Sequence, residues 1–130
     1  MIEAEWASSK PGTYESLFIK IKQKMGKDQI VGVIYRPPGD SLNLFNQELE
    51  ILLSHFSRLK EDIFLAGDYN IDLLKINSHV PTRTFFNLLT SNRLLPTILR
   101  PTRITKDTAT LIDNIFTNTL TNCTDSGIID

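Results

Sequence analysis

The stretch IFLAGDYNID, from Ile63 to Asp72, decides the fold of this chain, because an apolar run ends abruptly on a glycine and two polar residues. Branched and aromatic residues favour a buried strand, and a glycine at its end permits close backbone approach. The turn that follows can hold Asp68 and Asn70, two positions apart, on the same side. We therefore expect a sheet edge that presents a carboxylate and a carboxamide side by side.

Two strands are predicted upstream of this stretch. Period-two alternation over residues 14–22 places Leu17, Ile19 and Ile21 on one face, which is typical of a half-buried strand. A more apolar run over residues 29–35 predicts a second strand. The short turn between the two runs predicts an antiparallel hairpin.

A helix is predicted between the hairpin and the central strand. Apolar residues recur at helical spacing over residues 41–60, with Asp40 or Ser41 as the N-cap. The chain then enters the strand over residues 63–67. A strand-helix-strand unit places the residues after its second strand at the carboxyl edge of the sheet, where ligand sites of such sheets lie.

The rest of the chain predicts a loop over residues 77–81, a short helix over residues 84–92 and a strand over residues 111–118. Residues 119–127 are rich in Thr, Asn and Ser and predict a loop. The last four residues, 127–130, resemble the start of another strand.

Composition excludes several classes of protein. The chain has 130 residues, of which 41% are apolar, so it can build a core. The formal charge of −1 means that contact with a nucleic acid depends on local patches. Its one cysteine, Cys123, suits a reducing compartment. Without a signal peptide pattern or an apolar membrane span, we expect an intracellular protein, nuclear or cytoplasmic, with no membrane contact.

Three sequence blocks together carry a family resemblance. They are VIYRPP (33–38), GDYNIDLL (67–74), and RPTRIT (100–105) followed by LIDNIFTN (111–118). In this order and spacing they resemble the endonuclease/exonuclease/phosphatase superfamily, and more narrowly the endonuclease domain of LINE-type (non-LTR) retrotransposons. The resemblance runs from Tyr14 to Asp130. It implies an α/β fold, part of a two-sheet β-sandwich flanked by helices, with residues 1–130 forming a single partial domain incomplete at both ends.

The resemblance implies metal-dependent cleavage of DNA, with Mg²⁺ as cofactor, DNA as substrate and a fused or neighbouring reverse transcriptase in the parent element. The family's metal-binding Glu and its Ser-Asp-His segment find no counterpart in this chain. Glu3, Glu5 and Glu15 do not lie in the family's metal-site context, so the metal ligands stay unassigned. We therefore expect little or no activity from the chain alone.

Three residues match catalytic positions of the family. The resemblance implies that Asp68 orients or deprotonates the attacking water, that Asn70 contacts the scissile phosphate and that Asp113 orients a catalytic histidine. Physical chemistry leaves alternatives open. Asp68 and Asn70 could simply form an Asx-type turn, and Asp113 could be solvated or paired with a Lys or Arg. His55 and His79 lie outside the catalytic position, and we expect both to be structural.

Three further residues match the substrate-binding side of the family site. Tyr35 would reach the phosphate with its hydroxyl, Thr102 would line the DNA-facing side, and Arg103, like Arg36 and Arg100, could bind phosphates. A Tyr at a strand end is more often a core residue with its hydroxyl in water. Thr102 after a proline could only shape a turn, and arginines on loops are usually solvated.

Two other functions remain open: a non-catalytic fold fragment or binding scaffold, and a small-substrate phosphatase of the same superfamily. The catalytic interpretation predicts that Tyr35, Asp68, Asn70 and Asp113 meet on one rim of the sheet, with Thr102 near its wall. The strands that are apolar on both faces predict an exposed apolar patch, because a partial domain covers only one face.

Overall fold

The computed structural model describes residues 1–39, 41–56, 58 and 60–119, with the backbone alone for residues 3 and 4. Within these residues, the strands are β1 (Ile2–Lys10), β2 (Tyr14–Ile21), β3 (Gln29–Tyr35), β4 (Asp62–Asp68), β5 (Leu95–Pro96), β6 (Arg103–Ile104), β7 (Ala109–Thr110) and β8 (Asp113–Thr117). The helices are α1 (Leu42–Phe56) and α2 (Val80–Ser91), with a short 3-10 helix at Leu73–Lys75.

Six of these strands form one sheet in the order β1-β2-β3-β4-β8-β5. β3 and β4 run parallel and are connected through α1, as the strand-helix-strand prediction requires. The other neighbours pair antiparallel, including the predicted β2–β3 hairpin. A separate small sheet pairs β6 with β7. The prediction of an α/β fold is confirmed.

Helix α1 begins where its sequence predicts. The Leu44 N–H donates to Ser41 Oγ at 3.3 Å, which satisfies one of the free donors of the first turn. Asp40, the other predicted cap, lies outside the described residues. The helix ends at Phe56, four residues before the predicted end, and residues 57 and 59 are also outside the described part of the chain.

Helix α2 begins earlier than predicted. It starts at Val80, with Pro81 in its first turn, whereas the sequence placed a loop over residues 77–81. Proline is well suited to the first turn of a helix, because its fixed φ is helical and no N–H is needed there. The predicted loop was therefore wrong in its last two residues, because Val80 and Pro81 belong to the first turn of the helix.

The two helices cover one face of the large sheet. Phe85 of α2 lies edge-on to Phe116 of β8, with 5.9 Å between ring centroids, and Phe56 of α1 lies 5.2 Å from Phe18 of β2. The sheet residues of this core alternate along their strands, as a one-sided sheet requires. They are Tyr14, Phe18, Ile30, Ile34, Ile63, Leu65 and Phe116.

The opposite face of the sheet, which we call the outer face, is exposed. Leu17 and Val33 lie directly opposite each other on β2 and β3, and their side chains are 46% and 54% exposed. The predicted alternation of β2 is present, but the buried face is the one that carries Tyr14, Ser16 and Phe18, and the face of Leu17 is the exposed one. Aromatic contacts from α1 hold this other face inward.

The last described strand is shorter than predicted. β8 covers Asp113–Thr117, inside the predicted range of 111–118, and the two residues before it, Leu111 and Ile112, are buried. Cys123 and the strand start expected over residues 127–130 lie outside the described residues. Neither helix in the described part of the chain has the length and apolar character needed to cross a membrane.

Candidate active site

Three of the predicted site residues lie in one row across the sheet. Tyr35, the last residue of β3, is the register partner of Asp68, the last residue of β4. Asp68 is in turn the register partner of Asp113, the first residue of β8. Register partners point to the same face of a sheet, so the three side chains share the outer face. The structure thus brings them to one rim, as the sequence predicted.

The row is accessible to a ligand. Tyr35 is 43% exposed, and both aspartates are half-buried. Tyr35 is therefore not a core residue, which was the alternative interpretation. Asp113 forms no ion pair with any residue in the described part of the chain. Its side chain is partly exposed at the rim, so water solvates the carboxylate.

One further residue of this row, which the sequence did not lead us to expect at the site, is Glu15. Glu15 on β2 is the register partner of Tyr35, is exposed, and extends the row to a fourth strand. The signal for it was the alternation of β2, which puts Glu15 on the face of Leu17. The outer face therefore carries three carboxylates at this rim, those of Glu15, Asp68 and Asp113.

The loop after β4 holds Asn70 beside Asp68. The Asn70 N–H donates to Asp68 Oδ1 at 3.2 Å, which is the Asx-type turn expected as an alternative. This hydrogen bond fixes the carboxylate and does not remove it from the rim. Asn70 has φ of 49°, a left-handed conformation that Asn tolerates better than most residues. Its Nδ2 donates to the Arg36 carbonyl at 2.6 Å.

Gly67 and Tyr69 support this loop from inside. A Cβ at Gly67 would overlap the carbonyl oxygen of Ile34 on the neighbouring strand, so the close approach expected of this glycine is confirmed. Tyr69 is buried, packs on Phe85 at 5.3 Å between ring centroids, and donates its hydroxyl to the Leu65 carbonyl at 3.1 Å. Burial raises the pKa of Tyr69, so it stays a neutral phenol.

Hydrogen bonds tie the loop to the strand that carries Asp113. The Tyr69 N–H donates to the Ile112 carbonyl at 3.0 Å, and the Leu111 N–H donates to Asp72 Oδ1 at 3.0 Å. Asp72 also accepts from the Leu74 N–H at 3.1 Å and so caps the 3-10 helix. The distance between Asp68 and Asp113 is therefore held by sheet pairing and by this loop together.

Thr102 lies next to Asp113, where the wall of the site was expected. Its Oγ1 accepts hydrogen bonds from the N–H groups of Ile112 and Asp113, both at 3.2 Å. It thereby also shapes the turn, which was the alternative interpretation, and the two interpretations are compatible. Arg103 follows on β6 with an exposed side chain, and Arg100 is exposed as well.

Arg36 differs from the expectation of a solvated or phosphate-binding arginine. Its side chain is 6% exposed and donates through Nη1 to the carbonyls of Asn70 at 3.0 Å and Tyr69 at 3.4 Å. The two carbonyls belong to the loop after β4 and come near Arg36 only in the folded chain. The phosphate interpretation of Arg36 is therefore replaced by a contact with the loop.

A cleft of about 380 Å³ lies on the helix side of the same loop. Its lining includes Asn70, Asp72, Lys75 and His79. His79 Nδ1 lies 2.8 Å from Thr82 Oγ1 at the start of α2, which supports the structural role expected for it. In the described part of the chain, no group of three or more His, Cys, Asp or Glu side chains is arranged to hold a metal ion.

Comparisons by sequence find no match: no protein-family model matches the chain, and neither does any curated protein. Solved structures do match its fold. An endonuclease/exonuclease/phosphatase family protein from Leptotrichia buccalis C-1013-b gives a TM-score of 0.57 at 17% identity, over 91% of this chain and 50% of that protein. The endonuclease domain of TRAS1, a telomere-specific non-LTR retrotransposon, gives 0.57 at 11% identity, over 80% and 49%.

The catalytic domain of human Nocturnin gives a TM-score of 0.61 at 10% identity, over 91% of this chain and 48% of that domain. The chain spans about half the length of each of these three structures. Identities this low show shared architecture. The chain therefore has the fold of endonuclease/exonuclease/phosphatase structures, over about half of their length.

Proposed function

We propose that this chain carries part of the active site of a metal-dependent DNA phosphodiesterase of the retrotransposon endonuclease type, within one partial domain. The observation that supports this most is the row of Tyr35, Asp68 and Asp113 on an exposed sheet face, with Asn70 hydrogen-bonded to Asp68. These residues come from sequence positions far apart. Their meeting at one rim is what a site built from strand ends requires.

Each residue has a chemical task in this proposal. Asp68 accepts a proton from, or orients, the attacking water, and Asn70 donates to a non-bridging oxygen of the phosphate. Asp113 orients a histidine that is not among the 130 residues of this chain, since His55 and His79 lie elsewhere. Tyr35 and Thr102 line the phosphate side, and all five act from fixed backbone positions, so little ordering is needed on binding.

Magnesium fits the donor types at this rim. Mg²⁺ takes hard oxygen ligands, usually one or two carboxylates together with substrate phosphates and water. Asp68 and Asp113, which are direct register partners, offer two carboxylates on one face. When bound, the ion would polarise the phosphate, while the residues named above hold water and substrate. We leave the individual metal ligands unassigned.

An open face favours a polymer over a small phosphoester. The rim continues into the exposed outer face rather than into an enclosed pocket, because Tyr35 and its neighbour Val33 are both about half exposed. Arg103 is exposed and directly follows Thr102, whose Oγ1 accepts from the Asp113 N–H, so it supplies positive charge beside this end of the row. Phosphate groups along a DNA strand match such a local patch on a chain of net charge −1.

The chain alone is proposed to have little or no nuclease activity. Loss of general acid-base machinery typically lowers the rate by ~10²–10⁴-fold, and an incomplete metal site lowers it further. In the parent protein we propose a fused or neighbouring reverse transcriptase and an intracellular location, nuclear or cytoplasmic. The rival is a non-catalytic scaffold, which the turn-forming hydrogen bonds of Asp68 and Thr102 favour.

A plasmid-nicking assay with Mg²⁺ tests the proposal. The purified chain is expected to nick supercoiled DNA barely above the buffer control, and Asp68→Ala should remove what remains. Asp62→Ala, at the opposite end of the same strand, is the matched control and should leave the residual rate unchanged. If the wild-type chain nicks DNA robustly and Asp68→Ala abolishes this activity, the proposed inactivity of the chain is wrong. If the residual nicking is the same in Asp68→Ala, Asp68 does not belong to the active site.

A further inference from the structure

We infer that Arg36 is a positioning residue that holds Asn70 in the orientation needed at the rim, an inference that rests on the proposed function. Arg36 directly follows β3, and its N–H donates to the Asp68 carbonyl at 3.0 Å. Its side chain turns away from solvent and crosses to the loop after β4. The residue therefore bridges the two parallel strand ends that carry Tyr35 and Asp68.

Arg36 and Asn70 exchange hydrogen bonds. Arg36 Nη1 donates to the Asn70 carbonyl at 3.0 Å, and Asn70 Nδ2 donates to the Arg36 carbonyl at 2.6 Å. The first bond fixes the backbone of Asn70 and the second fixes its side chain. A charge-assisted hydrogen bond is stronger than a neutral one, so this pair is suited to hold one conformation.

Arg36 holds the backbone of Asn70 in a left-handed conformation that residues other than glycine rarely adopt. Asn70 has φ of 49°, and such a residue persists where its surroundings determine it. Because the Asn70 N–H donates to Asp68 Oδ1, a change in the Asn70 backbone would release the carboxylate as well. Arg36 thus acts on two rim residues through one set of bonds.

Phe45 of α1 fixes the arginine from the other side. The guanidinium carbon lies 5.8 Å from the centroid of the Phe45 ring, within the range of a cation–π contact. A lysine at this position keeps the charge, but its Nζ lies one bond nearer the backbone than Arg36 Nη1, the one atom that donates to both carbonyls. Arg36→Lys therefore separates a general stabilising role from a positioning role.

The test compares the wild-type chain with Arg36→Lys by amide hydrogen exchange and NMR. Arg36→Lys keeps the main-chain carbonyl that accepts from Asn70 Nδ2 but loses the guanidinium donor to the Asn70 carbonyl. We expect the variant to stay folded, with the protection of the Asn70 N–H lowered ten-fold or more. The internal control is Asn114, whose Nδ2 donates to the Ile98 carbonyl at 2.8 Å far from Arg36 and should keep its protection. Equal loss at Asn70 and Asn114, or no loss at Asn70, would overturn the inference.

A second comparison covers the case in which Arg36→Lys unfolds the chain. Glycine adopts the left-handed conformation without strain, so the double variant Arg36→Lys, Asn70→Gly should fold. Arg36→Lys should lower the melting temperature less in the Asn70→Gly background than in the wild-type background. A combined variant that also fails to fold, or equal losses in both backgrounds, would reduce Arg36 to a structural residue.

A DNA arm separates this inference from the proposed function. A short duplex added to the wild-type chain with Mg²⁺ should shift the Asn70 side-chain signal, and the shift should be at least halved in Arg36→Lys. Loss of Asn70 protection without any DNA shift in the wild-type chain would retain Arg36 as the anchor of Asn70 and reject the phosphate contact. A full DNA shift in Arg36→Lys would reject the positioning role.

Discussion

Asp68 and Asp113 are direct partners on antiparallel strands, and both carboxylates lie on the outer face of the sheet. Like charges directly opposite each other destabilise a sheet, so this pair lowers the free energy of unfolding. Sequences usually violate such local rules where function requires it. The pair is therefore the feature of the rim that a purely structural role explains least.

Relief of this repulsion should stabilise the chain. Asp113→Asn is expected to raise the free energy of unfolding by about 0.5 kcal/mol, because one of two facing charges is removed while the shape is kept. Urea denaturation at neutral pH and low salt measures the change. Asp62→Asn is the control, since Asp62 faces Gln29 on the same sheet face. If Asp113→Asn gains no more stability than Asp62→Asn, repulsion between Asp68 and Asp113 does not destabilise the sheet.

Gly67 should tolerate no side chain. Gly67→Ala is expected to destabilise the chain by about 3 kcal/mol or more, because the new Cβ overlaps the backbone carbonyl of Ile34 and β3 and β4 must separate. Gly26→Ala is the matched control: nothing lies near its Cβ, and its φ of 88° alone costs about 1 kcal/mol. Equal effects of the two variants in thermal unfolding would refute the close-approach argument.

Tyr69 predicts a specific response to alkaline pH. Burial raises the pKa of Tyr69 above its ordinary value of 10.0, so above that pH the phenol ionises in the unfolded chain but not in the folded one. Stability from this group is complete below pH 10 and falls as the pH rises beyond it. At pH 11 the wild-type chain should lose about 1.4 kcal/mol through this group.

Tyr69→Phe isolates the effect, because the two proteins share all other titrating groups. At pH 7 the variant should be less stable by about 1 kcal/mol, since the hydrogen bond to the Leu65 carbonyl is lost. That difference should close between pH 7 and pH 11. A difference that stays constant over this range in chemical denaturation would show that the ionised phenol is accommodated in the folded chain.

The outer face should make the chain self-associate. Leu17 and Val33 form an adjacent exposed apolar pair, and contiguous apolar patches beyond a few hundred Å² are rare on monomers. Leu17→Lys combined with Val33→Glu is expected to weaken association ten-fold or more in sedimentation experiments. Ile51→Lys, at a 59% exposed position on α1, should change little. A wild-type chain that stays monomeric at high concentration would contradict the prediction.

The sequence was most informative where local chemistry decides the structure. The apolar run before Asp68 and the cap at Ser41 predicted β4 and the start of α1, because strand and cap preferences act over a few residues. The meeting of Tyr35, Asp68 and Asp113 at one rim was predicted because Tyr35 and Asp68 follow or end their strands and Asp113 lies inside a strand whose residues alternate between faces. This much of the candidate site was therefore predictable without the structure.

The sequence was least informative where distant contacts decide. β1 was not predicted, since its polar composition gives little strand preference, and it is held by pairing with β2 and by the stacking of Trp6 on Phe18 at 5.5 Å. The buried position of Arg36 depends on carbonyls of a loop more than thirty residues away. Tyr69 likewise enters the core because α2 supplies Phe85.

The most direct test of the central claim is an NMR titration of the isotope-labelled chain with a short DNA duplex in Mg²⁺ at low salt. The account predicts that the largest changes fall on Tyr35, Asp68, Asn70, Thr102, Arg103 and Asp113, and that Asp68→Asn alters them while Asp62→Asn does not. Changes confined to the opposite end of the sheet, around Lys27 and Lys60, or no changes at all, would contradict the assignment of this rim to DNA.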